Sequence, residues 1–468
     1  MMESFVILAN PGPDVSTFGI VLKIFGGCAL VAAMATALYA FIQSKRAVVD
    51  FDHDSSKHRI LHLSSLFLRF FLAALLIFSG AVKIIDPLGT AYKMQDYYTA
   101  FDAQMSESYL IKNGESPPSD IWYTKLFSAL KKVSIATAVI MVVVEIVLGI
   151  LLFLGIYKRI VIPLTAIMLV FFTFLTGYTA QTGEPSDCGC FGDFIKLRPI
   201  DSFYKDIILC AVISCIWLLR SYIKPMVRGI IDKRVTLISM SAIAFLFAFS
   251  NYMFGLPLID FRPYKVGSDM KKLVEGRPPK YANLLCYMNL GTKEEVCLND
   301  EEYYGQGKWQ IYTPQNGWKF VENKKTLIQE EIPAKINFSV LDSTGQDRAD
   351  DHFNYSGVTL WVCSGDPMKA SARRWEELND LYSWAQEKNY RMHAYMECGG
   401  NSINEVLDKI EEEKDVTLEF PCYASDGKVL KTAIRANPGL IIVQDGIIIE
   451  KFHHTSYPTE TDLDILLH

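Results

Sequence analysis

Hydrophobic residues occupy six long runs in the first half of the chain, separated by polar and charged connections. Each run is close to the ~20 residues that an α-helix needs to cross a bilayer, so we predict a polytopic α-helical membrane bundle with six transmembrane helices. The runs are Phe18–Ile42, Leu61–Ile84, Val133–Ile156, Ile160–Ala180, Phe203–Tyr222 and Val235–Phe254. The first run follows no basic residue and is longer than the core of a signal peptide, so we expect it to be retained.

Basic residues between the runs predict the side on which each connection lies, because lysine and arginine accumulate in cytoplasmic loops. They occupy alternate connections: Lys45, Arg46, Lys57, Arg59, Lys158, Arg159, Lys224, Arg228, Lys233 and Arg234. These connections are predicted to be cytoplasmic. The N-terminus, the loop after Ile85, the loop between the fourth and fifth runs and everything after Phe254 are predicted to lie outside.

Composition agrees with a membrane part joined to a soluble part. The 468 residues are 50% hydrophobic, with a mean hydropathy of +0.17. The formal net charge of −6 gives no reason to expect nucleic acid as a partner. Only Cys28, Cys210 and Cys215 of the ten cysteines fall in apolar runs, and the other seven lie on the predicted outer side. That distribution indicates an oxidising, extracytoplasmic compartment.

The loop between the fourth and fifth runs carries the main candidate chemistry, Asp187-Cys188-Gly189-Cys190-Phe191-Gly192-Asp193. One interpretation is that Cys188 and Cys190 form a redox-active pair, because a disulfide between residues so close in sequence would be strained and prone to exchange. The other is that each cysteine ties this loop to another loop. We do not expect a metal site, because no second cysteine pair or histidine pair lies nearby.

Ionisable residues inside apolar runs are costly, so each one is a site hypothesis. Arg69 is expected to pair structurally with Glu145 across a helix interface, and Lys83 to extend to the membrane surface. Glu145 is the candidate for a proton-handling or ligand-facing group. In the outer loop after Ile85, an aromatic-rich helix is predicted either to lie in the membrane interface or to pack on the mouth of the bundle.

After Phe254 the pattern changes to short alternating segments, which predict an extracytoplasmic α/β part. Residues 281–322 indicate short strands, and Cys286 and Cys297 flank a turn, which predicts a structural cross-strand disulfide. From residue 333 the pattern predicts strands and helices in the order βαβαβαββα, a three-layer α/β arrangement. The predicted elements are a strand and turn at Asn337–Gly345, strands at Val358–Val362, Arg391–Met396, Gly439–Val443 and Ile447–Phe452, and helices at Met368–Lys388, after Ser402, before Asn437 and at Thr461–Leu467.

Part of the membrane segment is similar to a known family. Arg69, the stretch Ser79–Pro87, Glu145 and the Asp187–Asp193 loop resemble the DoxX/MauE-like family of small membrane proteins, over about residues 60–222. The resemblance implies quinone-associated redox chemistry and a role in the maturation of disulfide-containing envelope proteins. A quinone is therefore the candidate cofactor.

Residues 333–468 resemble the thioredoxin-like fold of the membrane-anchored, TlpA-like kind. The resemblance implies a cis peptide bond before Pro438. The chain departs from that family at Cys363-Ser-Gly-Asp366, where a single cysteine stands in place of Cys-x-x-Cys. Two interpretations remain for the cysteines of this part, Cys363, Cys398 and Cys422. Two of them could form a second redox pair, or they are buried or structural cysteines. Adjacent histidines on a strand point to opposite faces, so His453 and His454 carry little weight as metal ligands.

The sequence thus predicts an N-terminal helix and linker (1–59), a four-helix membrane domain (60–222), an added helix (223–256), a β-rich connector (257–332) and a degenerate thioredoxin-like domain (333–468). The leading function is a redox accessory protein of a bacterial inner membrane, with its N-terminus and C-terminal domain in the periplasm. The alternative is a non-enzymatic scaffold subunit of an envelope assembly or secretion complex. Membrane lipids and an envelope client protein or complex subunits are the expected partners.

Overall fold

The computed structural model describes residues 17–46, 56–118, 120–185, 188–227, 229–253, 255–275, 280–299, 301–329 and 336–467. The chain divides into two compact units. The first contains Met1–Arg262, Ile434–Gly439 and Phe452–His468, and the second contains Pro263–Ala433 and Leu440–Lys451. Asp187 and Arg228, which enter the predictions above, lie outside the described residues.

Up to Arg262, the first unit contains eight α-helices among these residues, and several of them are long and apolar. They are α1 (Thr17–Arg46), α2 (Ser56–Ile85), α3 (Pro87–Asn113), α4 (Trp122–Lys132), α5 (Ser134–Leu154), α6 (Lys158–Thr182), α7 (Pro199–Leu218) and α8 (Ile230–Met253). Five of them, α1, α2, α5, α6 and α8, are long and apolar enough to cross a membrane. This is the architecture of a multi-pass membrane protein.

Helix α7 covers most of the fifth predicted span but differs from the other five in composition. It carries Asp201, Lys205 and Asp206 near its N-terminal end, and all three are buried. Buried ionisable side chains need partners inside the protein, so this end of α7 is oriented by polar contacts as well as by apolar packing.

Two glycines allow α2 and α5 to pack closely. A Cβ atom built on Gly80 of α2 would collide with Cγ1 of Ile146 on α5. A Cβ atom on Gly149 of α5 would lie 2.9 Å from Cγ1 of Ile77 and 3.2 Å from its backbone nitrogen. Small residues permit such close approach of helix backbones in membranes. The interface continues into an apolar core formed by residues of α1, α2, α5, α6 and α7.

Helix α3 packs on the bundle, which decides between the two predictions made for the aromatic-rich loop. The Asp86 side chain caps its first turn by accepting a hydrogen bond from the Gly89 backbone N–H at 2.9 Å. The buried Tyr97 hydroxyl lies 2.9 Å from Oγ1 of Thr179 on α6. The Phe101 ring contacts the Tyr178 ring at a centroid distance of 4.7 Å.

The first helix of the second unit is the short α9 (Met270–Glu275). A three-stranded antiparallel sheet of order β2-β1-β3 follows, made of β1 (Lys280–Asn289), β2 (Glu295–Asn299) and β3 (Trp318–Gln329). Cys286 and Cys297 are direct register partners on β1 and β2. They form a disulfide with a Cα–Cα distance of 4.0 Å.

Replacing both Cys286 and Cys297 with alanine is expected to lower the stability of this sheet by about 2–3 kcal/mol, because the bond closes a short loop of the unfolded chain. Pulse proteolysis of the full-length protein in detergent, read out at residues 280–329, measures the loss. Dithiothreitol should produce the same shift in the wild-type protein and none in the double variant. Equal stability of the two proteins would contradict a structural role for the disulfide.

The larger sheet has five strands in the order β6-β5-β4-β7-β8, and its pairs β4/β5 and β5/β6 are parallel. The strands are β4 (Val358–Ser364), β5 (Arg391–Met396), β6 (Cys422–Ala424), β7 (Gly439–Gln444) and β8 (Ile447–Phe452). The helices of this part of the chain are α10 (Ala349–Phe353), α11 (Ala372–Glu387), α12 (Ile403–Lys414), α13 (Gly427–Ala433) and α14 (Glu460–Leu467). Asp445 and Gly446 join β7 to β8 with φ angles of 51° and 80°, as a tight two-residue hairpin requires.

One predicted strand is absent, and one observed strand was not predicted. The segment Asn337–Gly345 makes only isolated bridges, in which Leu341 pairs with Asp347 and with Ala424. The Asp342 side chain accepts hydrogen bonds from the backbone N–H groups of Thr344 and Gln346, at 2.9 and 3.0 Å, which turns the chain back. Strand β6 is only three residues long, too short for its alternation to be recognised.

Candidate functional site

The Cys188–Cys190 loop is a tight turn that brings two free thiols together. The Cys190 thiol donates a hydrogen bond to Sγ of Cys188, with the two sulfur atoms 3.3 Å apart. Gly189 has a φ of 61°, in the left-handed region, and a Cβ atom there would lie 3.0 Å from Cγ of Lys93. The turn therefore needs glycine between the two cysteines.

Helix α2 holds the loop in place. The Ser79 hydroxyl on α2 donates a hydrogen bond to the Cys190 carbonyl at 2.9 Å. The Phe191 side chain is buried and packs against Phe78 of α2 at a centroid distance of 5.9 Å. Both contacts come from α2, and they restrict the movement of Cys190 and Phe191.

The two thiols have different proton affinities. The Ser202 hydroxyl lies 2.8 Å from Sγ of Cys188, where it can donate a hydrogen bond to the thiolate. The pKa of Cys188 is lowered to about 7, chiefly by the hydrogen bond from Cys190 and against the effect of burial, with smaller contributions from Ser202 and Lys205. The same hydrogen bond, together with burial, raises the pKa of Cys190. Near neutral pH the pair therefore combines a reactive thiolate with a protonated thiol.

The thiols face an apolar cavity of about 140 Å³ between the helices of the first unit. Its wall is mostly aliphatic and aromatic, with Leu75, Leu76, Tyr97, Phe101, Phe172 and Leu209 among the lining residues. Its ionisable groups include the two thiols, the Lys83–Glu145 pair and the Lys205–Asp206 pair. An apolar pocket with a few convergent polar groups is the usual form of a site for a small hydrophobic ligand.

Glu145 is paired with Lys83 and not with Arg69, which corrects two predictions. Nζ of Lys83 lies 2.9 Å from Oε2 of Glu145, and both side chains are buried. Arg69 precedes Lys83 by about 21 Å along α2, so one carboxylate cannot reach both. Lys83 therefore does not extend to the membrane surface; its ammonium also lies 4.9 Å from the centroid of the Phe172 ring.

Arg69 lies apart from the thiols and the cavity. Its side chain is fully buried, and Nη1 donates a hydrogen bond to the Lys224 carbonyl at 3.4 Å. The guanidinium also lies 5.2 Å from the centroid of the Phe70 ring. These contacts give Arg69 a structural place between α2 and the chain that follows α7.

The Lys205–Asp206 ion pair was missed by the sequence analysis. Both side chains are buried, and Nζ of Lys205 forms an ion pair with Oδ1 of Asp206. Thr176 on α6 donates a hydrogen bond to Oδ2 of Asp206 at 3.0 Å. The signal was present, because two ionisable residues inside an apolar run satisfy the same rule that selected Glu145. They were overlooked because they stand near the start of the run.

Arg435 was also missed, and it connects two acidic residues of the same unit. Its buried guanidinium lies 2.9 Å from Oδ2 of Asp86, through Nε, and 2.6 Å from Oδ2 of Asp193, through Nη2. Asp193 ends the cysteine loop. Pro438 belongs to the same short segment: its peptide bond with Asn437 is cis, and its carbonyl accepts a hydrogen bond from the Tyr457 hydroxyl at 2.8 Å.

The three cysteines of the α/β part are free thiols in unreactive surroundings. Burial raises the pKa of Cys363 to about 12, of Cys398 to about 11 and of Cys422 to about 12. All three are therefore protonated near neutral pH, which disfavours thiolate chemistry. Cys363 lies within β4, where its register partner on β5 is Tyr395.

The geometry gives no support to metal binding by the groups considered. His453 and His454 follow β8, with their ring centroids 3.9 Å apart, so they do not point to opposite faces as predicted. Among the described residues, one group of three ligand atoms is close enough to hold an ion, namely Cys286, Glu295 and Cys297. Its two sulfur atoms are already joined in the disulfide.

Comparison with protein families finds a match inside the first unit. Residues 123–220 are similar to the family described as methylamine utilisation protein MauE. The matched stretch runs from α4 to just beyond α7 and contains Glu145, Cys188, Cys190, Lys205 and Asp206. No curated protein matches the chain.

Proposed function

We propose that this chain is a thiol–disulfide redox protein of the membrane, in which Cys188 and Cys190 are the reacting pair and a lipid-soluble quinone is the electron acceptor. The observation that carries the proposal is the position of two adjacent thiols, 3.3 Å apart, on the wall of an apolar cavity among membrane-spanning helices. The pair would oxidise cysteine pairs of envelope client proteins on the periplasmic side of a bacterial inner membrane.

The cavity residues fit a quinone. Aromatic and aliphatic side chains such as Phe172 and Leu209 would pack against its ring and its hydrocarbon tail, and the ammonium groups of Lys83 and Lys205 are hydrogen-bond donors suited to its carbonyl oxygens. A bound quinone would accept the two electrons and two protons released when the dithiol closes to a disulfide. The chain's own contribution is to hold Cys188 as a thiolate against the protonated Cys190.

For the C-terminal part we propose a degenerate thioredoxin-like domain of the TlpA-like kind that recognises the client. The parallel β6-β5-β4 arrangement and the β7-β8 hairpin support this proposal. The single Cys363, buried in β4, leaves this domain without a Cys-x-x-Cys dithiol at that place. Recognition of a folding client would need no thiol there.

A non-enzymatic scaffold of an envelope assembly complex is the second candidate. It is favoured by the raised thiol pKa values of Cys363, Cys398 and Cys422, which remove the chemistry expected of a thioredoxin-like domain. The name of the matched family refers to methylamine utilisation. An accessory role in that pathway is compatible with either candidate, because neither depends on the identity of the client.

The redox proposal predicts that the Cys188–Cys190 pair changes oxidation state with the supply of quinone. Thiols in intact membranes are trapped with a mass-tagged alkylating reagent, before and after quinone depletion. We expect an oxidised pair in replete membranes and a reduced pair after depletion, because the electrons then have no acceptor. Cys188→Ser should abolish the change at an unaltered protein level.

Cys215→Ser is the matched control, because Cys215 is a free, exposed cysteine on α7. It should leave the cycling unchanged. A pair that stays in one oxidation state under both conditions would reject the redox function and favour the scaffold.

A further inference from the structure

Helix α7 presents a polar stripe to the two thiols. Ser202, Lys205 and Asp206 are spaced i, i+3 and i+4, so their side chains share one face of the helix. All three are buried. The Ser202 hydroxyl is 2.8 Å from Sγ of Cys188, which fixes this face against the cysteine loop.

Lys205 follows Ser202 by one helical turn and extends its ammonium group toward the same loop. Nζ lies 5.6 Å from the centroid of the Phe191 ring, next to Cys190 in the chain. Lys205 and both cysteines line the same cavity. Electrostatic attraction to Lys205 lowers the pKa of Cys188 and opposes the rise in the pKa of Cys190.

Asp206 holds the lysine in its charged form. A buried ammonium group without a partner would lose its proton, whereas an adjacent carboxylate retains it. The carboxylate is itself fixed by the hydrogen bond from Thr176 on α6, at 3.0 Å. The pair is costly to bury, so its place beside a thiol pair points to a role in the chemistry.

We propose that Lys205, held by Asp206, is a positioning residue: its positive charge stabilises the Cys188 thiolate that forms when the Cys188–Cys190 disulfide is opened. This inference rests on the proposed redox function and assigns it a residue. A thiolate of the client attacks Sγ of Cys190 and forms a mixed disulfide. The Cys188–Cys190 bond breaks, and its electron pair leaves on Sγ of Cys188, which interacts electrostatically with the ammonium group of Lys205 across the shared cavity.

The second client thiol then completes the exchange. Its sulfur displaces Sγ of Cys190, which closes the client disulfide, and its proton passes to Cys190. The products are a Cys188 thiolate and a Cys190 thiol, and the hydrogen bond from Cys190 to Cys188 joins these two forms. Lys205 keeps its proton throughout, so its contribution is purely electrostatic.

Other charged groups also face the thiols, so the test must distinguish the effect of Lys205 from theirs. Lys93 of α3 packs its side chain against Gly189, while Lys83 of α2 and Glu145 of α5 line the cavity as an ion pair. Helix α7, which carries Lys205, also contacts Cys188 directly through the Ser202 hydroxyl at 2.8 Å. Lys205 is therefore the cation whose removal should act on the thiolate most strongly.

The test is the pH dependence of Cys188 alkylation in the full-length, chemically reduced protein, measured peptide by peptide by mass spectrometry. The wild-type midpoint is expected near pH 7, as the pKa of about 7 requires. Lys205→Met should raise the midpoint by about one pH unit and slow alkylation below it about tenfold. Lys205→Arg should restore most of the wild-type profile. Lys196→Met, at an exposed lysine of the same loop region, is the control and should change nothing.

Lys205→Gln is tested in parallel, in case the methionine variant is not stably inserted. An unshifted midpoint in a stably inserted methionine or glutamine variant overturns the role of Lys205, even if the pair still cycles with quinone. A wild-type pair that never cycles overturns the redox function instead. The alkylation profile would still report on Lys205 in that case, so the two failures are distinguishable.

Discussion

Replacing Arg435 with methionine is expected to lower the free energy of unfolding of the first unit by about 3–5 kcal/mol, the usual cost of breaking a buried ion pair from one side. The guanidinium is only 4% exposed, and its partners Asp86 and Asp193 are 13% and 14% exposed. Methionine fills a similar volume but leaves two poorly solvated carboxylates without their cation. Thermal unfolding of the purified protein in detergent measures the loss.

Two further variants give this prediction its controls. Arg435→Lys keeps the charge but loses the planar donors that reach both carboxylates, so an intermediate loss is expected. Lys125→Met breaks a pair with Asp120 in which the two side chains are 64% and 77% exposed, and it should cost less than about 1 kcal/mol. Equal losses for Arg435→Met and Lys125→Met would show that the bridge to Asp86 and Asp193 does not stabilise the unit.

The Lys83–Glu145 pair is expected to behave as a coupled unit. Lys83→Met or Glu145→Leu alone should destabilise the protein by about 3–5 kcal/mol, because each change leaves one charge buried without its partner. The double variant replaces both charges with apolar side chains in an apolar cavity. It should therefore be more stable than either single variant.

A double-mutant cycle of unfolding free energies, measured in one detergent, provides the coupling energy. A large favourable coupling is expected, because the ammonium and carboxylate are in contact at 2.9 Å. Losses that simply add in the double variant would mean that the two residues act independently. Lys83 and Glu145 line the cavity, and neither substitution changes Cys188 or Cys190. The same variants therefore also show whether the cavity depends on this ion pair.

Features that depend on nearby residues were predictable from the sequence. Apolar runs of about 20 residues located the long helices. Ser402 accepts a hydrogen bond from the Glu405 backbone N–H at the start of the helix predicted after it, and Asp445-Gly446 forms the turn between two predicted strands. The position of the cysteine loop between two apolar runs likewise made Cys188 and Cys190 the leading candidates.

Features that depend on how distant segments meet were not predictable. The partners of Arg435 lie 349 and 242 positions away in the chain, and no local pattern marks such a pair. The choice of Lys83 over Arg69 as the partner of Glu145 depends on the relative height of α2 and α5. Hydrophobic periodicity shows which face of a helix is buried, but it does not show how far the helix is shifted along its axis relative to a neighbouring helix.

The close contact of α2 with α5 links the relative position of the two helices to a sequence pattern that can be searched for in other chains. Gly80 stands three residues before Lys83, and Gly149 stands four residues after Glu145, so each charged residue lies about one turn from the glycine of its own helix. Two apolar segments with the spacings Gly-x-x-Lys and Glu-x-x-x-Gly would thus be expected to share this interface. A larger side chain at either glycine would separate the helices and the two charges together, so the four positions should be read as one signature.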